Sequence, residues 1–144
     1  MIYFDTSYII KCYLAEPGSP DVLELAQNTS GLASCILGRI EFFSGLHRHL
    51  REKRITTAEH KKVVKLFESD EKNGVWTWFP MTNTLAKMAC NHFSHLPSDQ
   101  FLRSFDAIHL TCASEQGFPE IYSNDKHLLT AAPLFNLAGK NVIP

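Results

Sequence analysis

The chain has 144 residues, 44% hydrophobic and 20% charged, with a net charge of −1. This is the balance of one ordinary domain that can bury a core without metal or disulfide staples, and it carries no overall basic field that would advertise nucleic acid. No apolar run approaches the ~20 residues of a membrane span, and the opening MIYFDTS lacks the basic flank and long apolar stretch of a secretory signal, so a cytoplasmic protein is expected.

Met1 to Phe4 reads as a short buried strand running into a helix over Thr6 to Glu16, broken at Pro17-Gly18. A second helix opens at Ser19 or Pro20 and runs to about Asn28. Gly31 to Cys35 is the next strand. Helical patterns follow over Ile36 to Lys53 and Thr56 to Lys72, ended by Asn73-Gly74. Val75 to Phe79 is rich in strand formers. Helices are expected over Asn83 to Leu96 and Phe101 to Glu115, then a strand at Glu120 to Ser123, a short helix at Lys126 to Ala131, and a last strand at Asn141 to Ile143. Short apolar strands alternating with helices predict an α/β fold, a mainly parallel sheet covered on both faces. No repeat or linker divides the chain, so residues 1–144 are expected to form a single domain.

In such sheets ligands bind beyond the carboxyl ends of the strands. Asp5 and Asp125 fall there, each just before a helix, where a carboxylate can cap free N–H groups, face a cation, or do both. Asp106 lies within a helical arc formed by Leu102, Phe105, His109, Leu110 and Ala113. A carboxylate on a buried stripe needs a partner: Arg103, His109 or a metal. Glu41 borders the apolar stretch Ile36, Leu37, Ile40, Phe42, Phe43 and Leu46. Arg39 or Arg48 could pair with it, and Gly38 and Gly45 beside it would admit a close backbone or a substrate.

Oxygen ligands without convergent Cys or His suit a hard cation, Mg²⁺ or Mn²⁺. Cys12, Cys35, Cys90 and Cys112 are scattered among apolar neighbours, the pattern of buried, reduced thiols. His47, Arg48, His49, Arg51, Lys53 and Arg54, with His60, Lys61, Lys62 and Lys65 after them, form a basic stretch. It is either a solvated helical face or a phosphate-contacting surface.

Tyr3-Phe4-Asp5-Thr6-Ser7, the segment LASCILGRIE ending in Glu41, the helix RSFDAIHLTCA around Asp106, and Ser123-Asn124-Asp125 together resemble the PIN-domain family, in register over almost the whole chain. The size resembles the VapC-type toxins of toxin–antitoxin pairs. The resemblance implies a three-layer α/β/α fold and Mg²⁺- or Mn²⁺-dependent endoribonuclease activity on RNA. It also implies a homodimer, and neutralisation by a small antitoxin reaching into the active-site groove. It places the family's four acids on Asp5, Glu41, Asp106 and Asp125, both as catalytic residues and as metal ligands, with a hydroxyl on Ser7 or Thr6 and a second on Ser123. Cys35 departs from the family's usual Ser or Thr. Lys126 and His127 stand where some relatives carry a further acid. Two other classes are compatible with parts of the chain. A partner-binding module without catalysis shares the whole pattern. A haloacid-dehalogenase-type phosphoryl-transfer enzyme shares the first Asp but needs a second acid at position 7, which is Ser here.

Overall fold

Tyr3 and Phe4 are adjacent and both fully buried, yet they point into different cores. They do so because successive strand residues face opposite sides of a sheet. The computed structural model describes residues 1–144. Its strands are β1 (Ile2–Phe4), β2 (Leu32–Cys35), β3 (Trp76–Phe79), β4 (Glu120–Tyr122) and β5 (Ala138–Lys140). They form one sheet in the order β3-β2-β1-β4-β5, every pair parallel. The helices are α1 (Thr6–Tyr13), α2 (Ser19–Gln27), α3 (Ile36–Arg51), α4 (Thr57–Lys72), α5 (Asn83–His95), α6 (Ser104–Glu115) and α7 (Lys126–Ala131), followed by a 3₁₀ turn at Ala132–Phe135.

One core gathers Phe4, Leu32 and Trp76 from the sheet with Ile9, Val22, Phe42, Leu46 and Phe67 from α1 to α4. Phe42 and Phe67 stack there with ring centroids 4.3 Å apart. The other core gathers Tyr3, Ala33, Cys35 and Ile121 with Leu85, Ala107, Leu110 and Leu128 from α5 to α7. Two cores on a parallel sheet make the three-layer α/β/α architecture expected from the alternation. No helix is long and apolar enough to cross a membrane.

The helix starts follow from local chemistry. Thr56 and Glu59 exchange a capping box at α4, and Thr82 caps α5. α1 stops at Tyr13, short of the expected Glu16: Leu14 turns extended, and the Ser19 hydroxyl donates to the Leu14 carbonyl and accepts from the Glu16 amide, at 2.8 and 3.0 Å. α6 begins at Ser104 rather than Phe101, which puts Asp106 in its first turn.

Three expectations need correction. The last strand is Ala138–Lys140, not Asn141–Ile143. Ala and Gly have low strand propensity, and Gly139 is accommodated because a Cβ there would meet Leu129 backbone at 3.0 Å. Asn141 and Val142 instead bind the Tyr8 hydroxyl, at 2.8 Å each. Phe105, expected in the core, is exposed in the first turn of α6. Cys35 and Cys112 are buried, but Cys12 is only half-buried and Cys90 is exposed.

Candidate active site

The strand order turns back at β1: β2 and β3 lie to one side, β4 and β5 to the other. The crevice beyond the carboxyl ends of β1 and β4 is therefore the place where an open parallel sheet takes a ligand. Asp5 follows β1 directly, and Asp125 follows β4 after two residues.

Asp5 is the N-cap of α1. Its Oδ1 accepts from the Tyr8 amide at 3.1 Å and the Ser7 hydroxyl at 2.6 Å, and its Oδ2 accepts from the Ser123 hydroxyl at 2.5 Å. Burial raises its pKa above the ordinary carboxylate value, although these bonds and nearby His109 favour the charged form. Ser123 also accepts from the Asp125 amide at 2.9 Å, so one hydroxyl ties the two strand ends together. Asp125 caps α7 with Oδ1, which accepts from the amides of His127 and Leu128, while Oδ2 accepts from Arg103. Capping and facing a cation are thus done by separate oxygens of one carboxylate.

Glu41 stands on the second turn of α3. Its Oε1 accepts from the Thr6 hydroxyl at 2.8 Å and from His109 Nε2 at 3.0 Å. Neither arginine expected to pair with it does so: Arg39 binds Glu71 and Arg48 binds Glu52. Burial would raise the Glu41 pKa, but His109 outweighs it and the pKa is lowered. Asp106 Oδ2 accepts from Arg103 Nε at 2.9 Å. Its pKa is raised, chiefly by burial and further by the charge of Asp125, against the pull of Arg103.

His109 and Arg103 are the residues whose part the sequence left undefined. His109 is 2% exposed and lies on α6. The Cys35 amide donates to the Tyr3 oxygen at 2.9 Å, and Tyr3 meets His109 Nδ1 at 3.1 Å. With the Tyr3 hydroxyl as donor to Nδ1, Nε2–H is left to hold Glu41. Gly38 makes room for this arrangement: a Cβ there would stand 3.1 Å from His109 Cε1 and 2.8 Å from Ser34 Oγ. Gly45 likewise faces Ile10 of α1, so both glycines admit close internal packing. The signal was present in the sequence as a polar His on an apolar arc one turn beyond Asp106.

Arg103 precedes α6. Its side chain is 59% exposed and spans Asp106 and Asp125. With it, Asp106, Asp125, Ser123 and Asp5 form one hydrogen-bonded path, and Thr6, Glu41 and His109 form a second group beside it. Beside it opens a cleft of about 390 Å³ lined by Glu41, Arg103, Ser104, Phe105 and Asp106.

As the side chains stand, no three His, Cys, Asp or Glu groups are arranged to hold an ion; Arg103 fills the gap between two of the acids. The chemistry of the donors nevertheless fits a hard divalent cation. The groups are carboxylates flanked by hydroxyls, both His109 nitrogens are engaged, and one positive charge already bridges Asp106 and Asp125.

The basic stretch is smaller than the sequence suggested. His49 is buried against Glu16, and Arg48 and Arg54 pair with Glu52. Arg51, Lys53, Lys61, Lys62 and Lys65 remain exposed. Arg51 lies ten residues along α3 from Glu41, about 15 Å at the helical rise.

A parallel sheet with acids converging on its switch point defines a class of α/β domain, and sequence comparison names it. The family model described as PIN domain matches residues 2–133, and the chain belongs to that family. Comparison with curated protein sequences gives no match. Several solved structures share the fold, three of them as follows. The Mycobacterium tuberculosis VapC20, a sarcin-ricin loop cleaving toxin, has a TM-score of 0.71 and 15% identity, over 91% of this chain and 95% of its own. VapBC2 from Rickettsia felis, bound to a DNA fragment from its promoter, has 0.66 and 13%, over 98% of each. FitAcB from Neisseria gonorrhoeae has 0.69 and 14%, over 99% and 98%.

Proposed function

We propose that this chain is a Mg²⁺- or Mn²⁺-dependent endoribonuclease, the toxin of a toxin–antitoxin pair, working in the cytoplasm as one PIN domain over residues 1–144. The observation that carries the reading is the dedicated support of its acids. Three hydroxyls and a buried histidine hold Asp5, Glu41 and Asp125 at the carboxyl edge of the sheet, beside Asp106. A cluster of carboxylates is costly without a counter-charge, and a merely structural role would not need four.

Asp5, Glu41, Asp106 and Asp125 would hold the ion. When bound, a hard cation orients water and offsets the charge that builds on phosphate oxygens during in-line displacement. The chain's own groups do the rest. Ser7 and Ser123 fix both oxygens of Asp5, and Thr6 and His109 fix Oε1 of Glu41. Oε2 of Glu41 is free of protein hydrogen bonds, so it can accept a proton from an attacking water. The exposed lysines of α4, with Arg51 and Lys53, are the basic surface for the RNA backbone beyond the cleft.

Similarity to a toxin that cleaves the sarcin-ricin loop and to proteins crystallised as VapBC2 and FitAcB complexes supports RNA as substrate and a small antitoxin as partner. A second copy of this chain completes the expected set. The purified chain incubated with structured RNA tests the reading. Internal cuts should appear with Mn²⁺ or Mg²⁺ and vanish in EDTA. Unaltered cutting in EDTA would overturn it.

A further inference from the structure

Arg103 is the one long cation at the acid site, and its position is unusual for a surface arginine. It neither caps α6 with its side chain nor packs on a core; its side chain is spent on Asp106 and Asp125. Each carboxylate gives it one oxygen, and the two acids come from different elements. Asp106 is largely shielded, and Asp125 stands close enough to share the same guanidinium. A guanidinium between them relieves the repulsion that a divalent cation would relieve. Yet the side chain is 59% exposed, and these two are its only hydrogen bonds.

We infer that Arg103 is an exchangeable counter-cation: it bridges Asp106 and Asp125 in the metal-free protein, yields them to the entering divalent ion, and turns its freed guanidinium to an RNA phosphate in the adjoining cleft. This rests on reading the acids as a cation site. Two positive groups cannot share the gap, because the ion repels the guanidinium and competes for the same two oxygens. The arginine remains tethered at the start of α6, on the wall of the cleft that Glu41, Ser104 and Phe105 also line. Its planar fork suits the paired oxygens of a phosphate, whereas an ammonium offers only a point charge. The same residue thus offsets part of the empty site's negative charge, lowers its affinity for metal, and recognises substrate once metal is present.

The signature is a pair of opposite effects from one substitution. Mn²⁺ affinity is measured by calorimetry without RNA on the full chain and on Arg103→Ala and Arg103→Lys, each checked for an intact fold by circular dichroism. Arg103→Ala should bind Mn²⁺ roughly tenfold more tightly, as expected when one positive charge a few ångströms from a divalent ion is removed. Binding of a labelled single-stranded RNA, read with Ca²⁺ present, should weaken severalfold in the same variant. Arg103→Lys should recover part of the Mn²⁺ effect and less of the RNA effect. In the unaltered chain, Mg²⁺ should shift the Arg103 Nε–H resonance and speed its exchange with solvent.

Unchanged or weaker Mn²⁺ binding in Arg103→Ala, or an Nε–H resonance indifferent to saturating Mg²⁺, overturns the exchange. Unchanged RNA affinity overturns the phosphate step. These results leave the nuclease reading standing if the unaltered chain binds Mn²⁺ and cuts RNA. A chain that binds no Mn²⁺ at all overturns both.

Discussion

His109 Nε2 lies 3.0 Å from Glu41 Oε1, joining the fully packed interior of α6 to a partly exposed acid on α3. Burial lowers the histidine's affinity for its proton, but the bond and charge of Glu41 outweigh this and its pKa is raised above 6.5. Glu41 moves the other way, below 4.5. The raised histidine contributes stability fully below about 6.5, lost as pH rises through its folded value. The lowered glutamate contributes stability above about 4.5, lost as pH falls through its folded value. The pair therefore stabilises the fold most between those limits. In an NMR titration, Glu41→Gln should lower the midpoint of the His109 ring. The melting-temperature gap between the two proteins should close towards both pH extremes. An unmoved His109 midpoint would remove Glu41 as its partner.

Gly38 and Gly45 sit on the same helix but tolerate a methyl group differently. A Cβ at Gly38 meets Ser34 Oγ at 2.8 Å, Ile9 Cδ1 at 3.0 Å and His109 Cε1 at 3.1 Å. At Gly45 its nearest neighbour is the flexible tip of Ile10, at 2.7 Å. Alanine gains about 1 kcal/mol of helix propensity at either place. Gly38→Ala should still lose about 1–3 kcal/mol from overpacking, whereas Gly45→Ala should be near neutral. Urea unfolding of both variants decides; equal stabilities would mean that His109 has slack.

Ser123 serves two acids at once, donating to Asp5 and accepting from the Asp125 amide. Ser123→Ala leaves one buried carboxylate oxygen and one amide without that partner. Thermal melts should show a loss of about 1–3 kcal/mol, and the Asp5 carboxyl should titrate still higher. An unchanged melt would mean that water replaces the hydroxyl without cost.

The sheet, its parallel sense and four of its strands were legible because short apolar runs alternate with amphipathic helices. The last strand was not, because Ala-Gly-Lys carries no strand signal and is fixed only by pairing with Glu120–Tyr122 and by close contact with Leu129. At the site, the sequence offered Asp5 and Asp125 through their place before helices. It left Asp106 between partners, and the choice fell on Arg103 because α6 starts late. Serving Glu41 with His109 depends on α3 and α6 meeting across the sheet edge at Gly38, a contact that no local pattern encodes. The basic stretch misled in part: charge composition does not reveal that His49 is buried.

Asp106 tests the account most directly. It is shielded, its pKa is raised by burial, and its only ionic partner is an exposed arginine. Asp106→Asn should therefore leave the melting temperature in EDTA unchanged or slightly higher, because no deeply buried charge is stranded. The decisive measurement joins that melt to Mn²⁺ calorimetry and RNA cleavage on the same two proteins. The account predicts an intact fold, lost Mn²⁺ binding and cleavage reduced by orders of magnitude. An intact Asp106→Asn protein that binds Mn²⁺ and cuts RNA like the unaltered chain would contradict it.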